Sequence, residues 1–140
     1  MKGIFLVEHQ DKFIKKIEYR FKKYELSLFN NYKKLHDYIL LKKEHDSSFK
    51  LDEYIFVLDF SLYDKQEDIF LNLYHPESIE ILDYLTDNGV PVSRVFIFTR
   101  ISKKRIPWKL FPEKYHKLGY IDKSNDSKAI YTAIQKALKT

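Results

Sequence analysis

Two kinds of apolar pattern divide this chain. The first is short and unbroken. Tyr54-Ile55-Phe56-Val57-Leu58 runs without alternation and then meets Asp59. Such a run reads as a strand covered on both faces, as in a parallel sheet. Ile4 to Val7, Leu26 to Phe29, Val92 to Phe98 and Gly119 to Ile121 have the same character and predict four more strands. The second pattern is helical. Phe13, Ile14, Ile17, Phe21 and Tyr24 recur at helical spacing behind Asp11, a candidate cap. Asn30 or Asn31 starts a second helix through Leu35 and Ile39 to about Lys43. Pro76 suits the first turn of a third, which carries Ile79, Leu82 and Leu85 and stops at Asn88-Gly89. A short, poorly patterned helix is expected from Pro107 towards His116. A last one, capped by Asp126 or Ser127, carries Ile130, Ile134 and Leu138.

Five strands alternating with five helices argue an α/β fold with helices on both sides of a parallel sheet. Right-handed crossovers lead to a flavodoxin-like, doubly wound (βα)5 arrangement, with the five-stranded parallel sheet in the order 2-1-3-4-5. The 140 residues suit a single domain spanning 1–140, with no internal repeat, low-complexity tract or linker.

Composition narrows the function classes. The absence of cysteine excludes a disulfide framework and a thiolate zinc site, and fits a cytoplasmic location. No apolar stretch approaches the roughly 18 residues of a membrane span, and the first residues have too short an apolar run for a signal peptide. His9, His36, His45, His75 and His116 lack zinc-ligand spacing. No serine or cysteine nucleophile motif accompanies His9 and Asp59. With three glycines the chain has no glycine-rich phosphate loop. These exclusions point away from an enzyme. The net charge of +5 is unevenly spread: 12 basic and 7 acidic residues in 1–50, 3 and 10 in 51–100, and 10 and 3 in 101–140. The molecule is therefore polar, with a positive face. The pairs Lys15-Lys16 and Lys22-Lys23 are expected on a solvated helix back.

In an open parallel sheet, ligands bind beyond the carboxyl ends of the strands. Those ends collect Glu8-His9, Asp59, Thr99-Arg100 and Lys123. The ordered motifs Ile4-Phe5-Leu6-Val7-Glu8-His9, Ile55-Phe56-Val57-Leu58-Asp59, Phe96-Ile97-Phe98-Thr99 and Gly119-Tyr120-Ile121-Asp122-Lys123 span nearly the whole chain. In this the chain resembles the receiver domain of bacterial response regulators. The resemblance implies a stand-alone module of two-component signal transduction. Asp59 would accept a phosphoryl group from a phosphohistidine donor, Thr99 would be the switch hydroxyl, and Lys123 would pair with the phosphoryl oxygens. Tyr120 falls at the rotating aromatic. Glu8, Asp59 and the Ser61 carbonyl would hold Mg2+. The implied partner is a sensor histidine kinase or another signalling protein. Homodimers would use the face formed by the fourth helix, fifth strand and fifth helix.

Several positions depart from that pattern. His9 stands where receivers keep a second acid, and imidazole is a poor partner for magnesium, so a weakened or absent metal site is expected. Arg100 follows the switch hydroxyl, where a small residue is usual, and a long cation there could cover Asp59 or pair with it. Ser124 follows Lys123 where the family keeps a cis proline, a bond that costs about 3 kcal/mol at a non-proline residue. The connection after Asp59 is long, and Leu71, Leu73 and Tyr74 are placed to fold over the site. These features describe an atypical or pseudo-receiver.

Lys103, Lys104, Arg105 and Trp108 form a candidate partner-binding stretch. An exposed tryptophan among cations anchors a protein partner or stacks on a base; alternatively Trp108 packs inside and the basic run is solvated. This leaves a second function class open, a small basic α/β nucleic-acid-binding or adaptor protein with no phosphotransfer.

Overall fold

The computed structural model describes residues 1–59, 76–100, 104, 111–123 and 131–139. Five strands, β1 (Gly3–Val7), β2 (Glu25–Phe29), β3 (Tyr54–Asp59), β4 (Val95–Thr99) and β5 (Gly119–Asp122), form one sheet in the order β2-β1-β3-β4-β5. Every pairing is parallel. Four helices are described: α1 (Asp11–Arg20), α2 (Tyr32–His45), α3 (Pro76–Asp87) and α4 (Thr132–Leu138). The α/β class, the strand order and the parallel sense match the expectation and are consistent with a flavodoxin-like fold.

The central strands are apolar throughout because both faces are covered. Phe5, Val7, Phe56, Leu58, Val95 and Ile97 pack with Leu35 and Ile39 of α2 and Leu82 and Leu85 of α3. The alternate residues Ile4, Leu6, Ile55, Val57, Phe96 and Phe98 pack with Phe13 and Ile17 of α1 and Ile134 and Leu138 of α4. Two apolar layers flank the sheet, and a side-chain period of two assigns each residue to one of them.

Local chemistry explains the boundaries. Asn31 caps α2, its side chain accepting from Lys34 N at 2.8 Å. Gly89, at φ +90°, ends the turn after α3, a conformation that favours glycine. Two expectations need correction. Asp11 does not cap α1: Gln10 holds that position without a side-chain bond, and Asp11 lies in the first turn. The fourth strand does not begin at Val92; Val92–Arg94 is a 3-10 turn behind Pro91, and the strand starts at Val95. Between β4 and β5 the described residues include a 3-10 turn, Glu113–Tyr115, and the (βα)5 helix count is not settled by the four described helices. The expected start of that helix at Pro107, Ile130 and the caps Asp126 and Ser127 lie outside the described residues.

Candidate functional site

Period-two alternation places an ionisable group at the end of three strands on the α1/α4 face. Leu6 leads to Glu8, Val57 to Asp59, and Ile121 to Lys123. All three ionisable residues are buried, at 1%, 0% and 4% exposure respectively. Charges at such depth persist only when paired. Lys123 Nζ lies 2.5 Å from Glu8 Oε2 and 2.9 Å from Asp59 Oδ2. The ammonium reaches over β4 to do so, passing 4.9 Å from the Phe98 ring centroid and 5.1 Å from that of Phe13. Neither carboxylate oxygen accepts a hydrogen bond of regular geometry. The short distances make these charge contacts all the same, and two carboxylates against one ammonium leave an excess negative charge.

The other Glu8 oxygen is fixed by the backbone. Oε1 accepts from His9 N and Gln10 N, each at 3.0 Å, at the start of α1. This carboxylate closes the turn between β1 and α1 while Oε2 faces the ammonium. Asp59 is held from the far side of the sheet, where the buried Tyr32 hydroxyl donates to the Asp59 carbonyl at 2.6 Å. Lys123 N donates to Thr99 O at 2.8 Å, joining the ends of β4 and β5.

Thr99 is fully buried, one residue beyond Phe98, which lies opposite Asp59 across the β3–β4 ladder. It continues the series of Val95 and Ile97, so it sits at the same rim on the other parity. Tyr120 is partly buried and packs on the α2/α3 side of the core. Arg100 is exposed; its Nη2 donates to Gln10 Oε1 at 2.8 Å, and its guanidinium lies 5.8 Å from the Phe13 ring centroid. Lys104 is exposed. Ser61, Lys103, Arg105, Trp108, Ser124 and the apolar residues Leu71, Leu73 and Tyr74 lie outside the described residues.

The imidazole of His9 is the least buried member of the site. Its Nδ1 stands 3.6 Å from Asp59 Oδ2 and 3.7 Å from Glu8 Oε1, with the side chain 38% exposed. Those separations are too long for hydrogen bonds. Ligand atoms of Glu8, His9 and Asp59 all fall within 4.8 Å of one another. Donors around an ion at about 2.1 Å are about 3.0–3.4 Å apart in octahedral or tetrahedral geometry. The cluster thus could hold a metal ion after a modest inward movement. The neighbouring ammonium already neutralises part of the charge such an ion would meet.

Sequence reasoning brought Asp59, Thr99 and Lys123 to one rim but missed two features. Tyr32 as a support of Asp59 carried no signal beyond its place at the start of α2. The bridge from Lys123 to Glu8 was legible only as parity: Glu8, Asp59 and Lys123 each lie two residues past an apolar position of the same layer.

Among the described residues no helix is long and apolar enough to cross a membrane. No family model matches the chain, and neither the curated proteins nor the solved structures contain a match.

Proposed function

We propose that this chain is a receiver-like signalling module whose phosphoryl acceptor is Asp59. The observation that carries the reading is the burial of Asp59 at the carboxyl rim with a lysine ammonium 2.9 Å from its Oδ2. In the transfer, a P–N bond of a phosphohistidine donor breaks and a P–O bond to an Asp59 carboxylate oxygen forms. The departing imidazole takes up a proton. Lys123 then turns from the carboxylate to the phosphoryl oxygens, and Thr99 supplies a hydroxyl at the same rim. Histidine kinases are the donors this chemistry implies. The (βα)5 form of the fold, with a fifth helix before β5, belongs to the same reading.

Glu8, His9 and Asp59 would hold a divalent ion, which when bound neutralises charge on the transferring group. Two carboxylates and an imidazole suit manganese or zinc better than the magnesium a set of oxygens would select. A second reading rests on the same ammonium. By tying Glu8 to Asp59, Lys123 supplies the site's cation from within, which favours a constitutive partner-binding module without phosphotransfer.

Intact mass after incubation with acetyl phosphate and either magnesium or manganese separates the two. A phosphoryl adduct lost in Asp59→Asn supports the acceptor. Absence of an adduct with both ions, or an adduct that persists in Asp59→Asn, overturns it.

A further inference from the structure

The rim opposite Asp59 carries a feature the phosphoryl-transfer reading does not use. Helices in this fold run antiparallel to the strands, so the carboxyl ends of α1 and α4 meet at the amino edge of the sheet. Between them lies a cavity of about 450 Å³, within the roughly 300–1,000 Å³ of small-molecule sites. Among the described residues its lining includes five cations, Lys16, Arg20, Lys22, Lys23 and Lys139, and no acid. It also includes Tyr19, Tyr24 and Tyr131.

Cations at helix carboxyl ends have an ordinary explanation, since each end carries about half a negative charge. Two ends call for about one compensating cation, and five are present. Elsewhere on the surface lysines find acids: Lys2 meets Glu53, Lys15 meets Asp11, Lys33 meets Asp37, and Lys114 meets Asp83. Among the described residues Arg20, Lys22, Lys23 and Lys139 make no such pair. Three of them lie over rings instead: Arg20 over Tyr131 at 5.7 Å, Lys22 over Tyr19 at 5.4 Å and Lys23 over Tyr24 at 5.5 Å. Tyr19 is 78% exposed, a large flat ring left in water beside unneutralised charge.

We infer that this groove binds a phosphate-bearing nucleotide unit, with the phosphate among Arg20, Lys22 and Lys23 and the base against Tyr19. Guanidinium and ammonium groups match phosphate. An open tyrosine face takes a base without regard to its sequence. The cavity has room for one unit, which can arrive as a free nucleotide or as part of a single strand. The inference is independent of Asp59.

Fluorescence anisotropy with a labelled oligo-dT, and competition by AMP, ATP and inorganic polyphosphate, test it in the full chain. The variants are Tyr19→Ala, Arg20→Ala/Lys23→Ala, and the opposite-rim control Lys33→Ala/Lys34→Ala; every one of these positions is exposed, so folding should survive. The groove pair should lower affinity at least tenfold and flatten the salt dependence by about 1.4, from two phosphate contacts at about 0.7 each. Tyr19→Ala should weaken oligo-dT or AMP by about 5- to 150-fold and leave polyphosphate unchanged. AMP competing as well as the strand identifies a free nucleotide; the strand alone binding identifies single-stranded nucleic acid. No binding at low salt overturns the inference. So does polyphosphate matching the strand with Tyr19→Ala silent, or a control pair that costs as much as the groove pair.

Discussion

Replacing Lys123 by methionine removes the ammonium that faces two buried carboxylates while keeping most of the aliphatic stem. At an effective dielectric of about 20, contacts of 2.5 and 2.9 Å correspond to gross attractions of about 6–7 and 6 kcal/mol. Dehydration of three ions offsets most of this, at several kcal/mol each. What decides the mutant is the charge left behind. Lys123→Met leaves Glu8 and Asp59 buried without their cation, and stranding a buried charge typically costs about 3–5 kcal/mol. Asp59→Asn does the opposite: it removes the excess negative charge and leaves Lys123 paired with Glu8. It gives up one attraction of about 6 kcal/mol, but also the repulsion between carboxylates whose ligand atoms lie within 4.8 Å, worth at least about 3.5 kcal/mol on the same scale, and the dehydration of one ion, worth several kcal/mol more. Its stability should therefore fall within about 1 kcal/mol of the parent, or above it. Urea unfolding followed by circular dichroism measures both, with an unchanged m-value as the check that only stability moved. Adding Glu8→Gln to Lys123→Met should recover part of the loss, a coupling that a double-mutant cycle reads directly. A Lys123→Met variant within 1 kcal/mol of the parent, or an Asp59→Asn variant equally destabilised, would refute the reasoning.

Other consequences are open to simpler tests. Tyr32→Phe removes the buried donor to the Asp59 carbonyl and should cost about 1 kcal/mol by chemical denaturation, the net worth of one hydrogen bond. His9→Asp restores an all-oxygen cluster and should shift calorimetric preference from manganese towards magnesium; an unchanged preference would argue against His9 as a ligand. Gly3→Ala would drive a Cβ into the Glu25 backbone carbonyl on the neighbouring strand, and should lower stability by about 1–3 kcal/mol. A hydrogen bond from the Tyr115 hydroxyl, with Lys114 beside it, holds Asp83 below the usual carboxylate range. A depressed folded-state pKa adds stability that is present above the unfolded carboxylate range and lost as pH falls through the folded value. Since Asp83 is 44% exposed, the effect should be at most about 1 kcal/mol, and Asp83→Asn should flatten the acid limb of the stability–pH curve by that amount.

The architecture was legible because parallel strands buried on both faces must be apolar at consecutive positions. That rule found β3 and β1 directly. It overreached at Val92, where Val92-Ser93-Arg94 carries β-branched character but follows Pro91 and curls into a 3-10 turn. The rim of the site was legible for a related reason. A polar residue ending an apolar run marks where the strand leaves its two covering layers. What the chain could not reveal were contacts set by reach across strands. Lys123 spans β4 to touch Glu8, and Arg100 meets Gln10. Such pairings depend on side-chain direction in an assembled sheet, which spacing along the chain does not encode.

The bridge from Lys123 to Glu8 and Asp59 draws on the ends of β1, β3 and β5, three strands distant in sequence, with β4 lying between β5 and the adjacent pair β1 and β3. No fragment holds it, so it forms only when the entire sheet closes. A molecule that engages this rim must therefore stabilise the whole fold against melting by RT ln(1 + L/Kd), with L the free ligand concentration. Conversely, a core substitution far away that weakens the sheet without moving the rim would lower apparent affinity only through the fraction of chains that are folded. Thermal shift would then serve as a ligand screen for this rim.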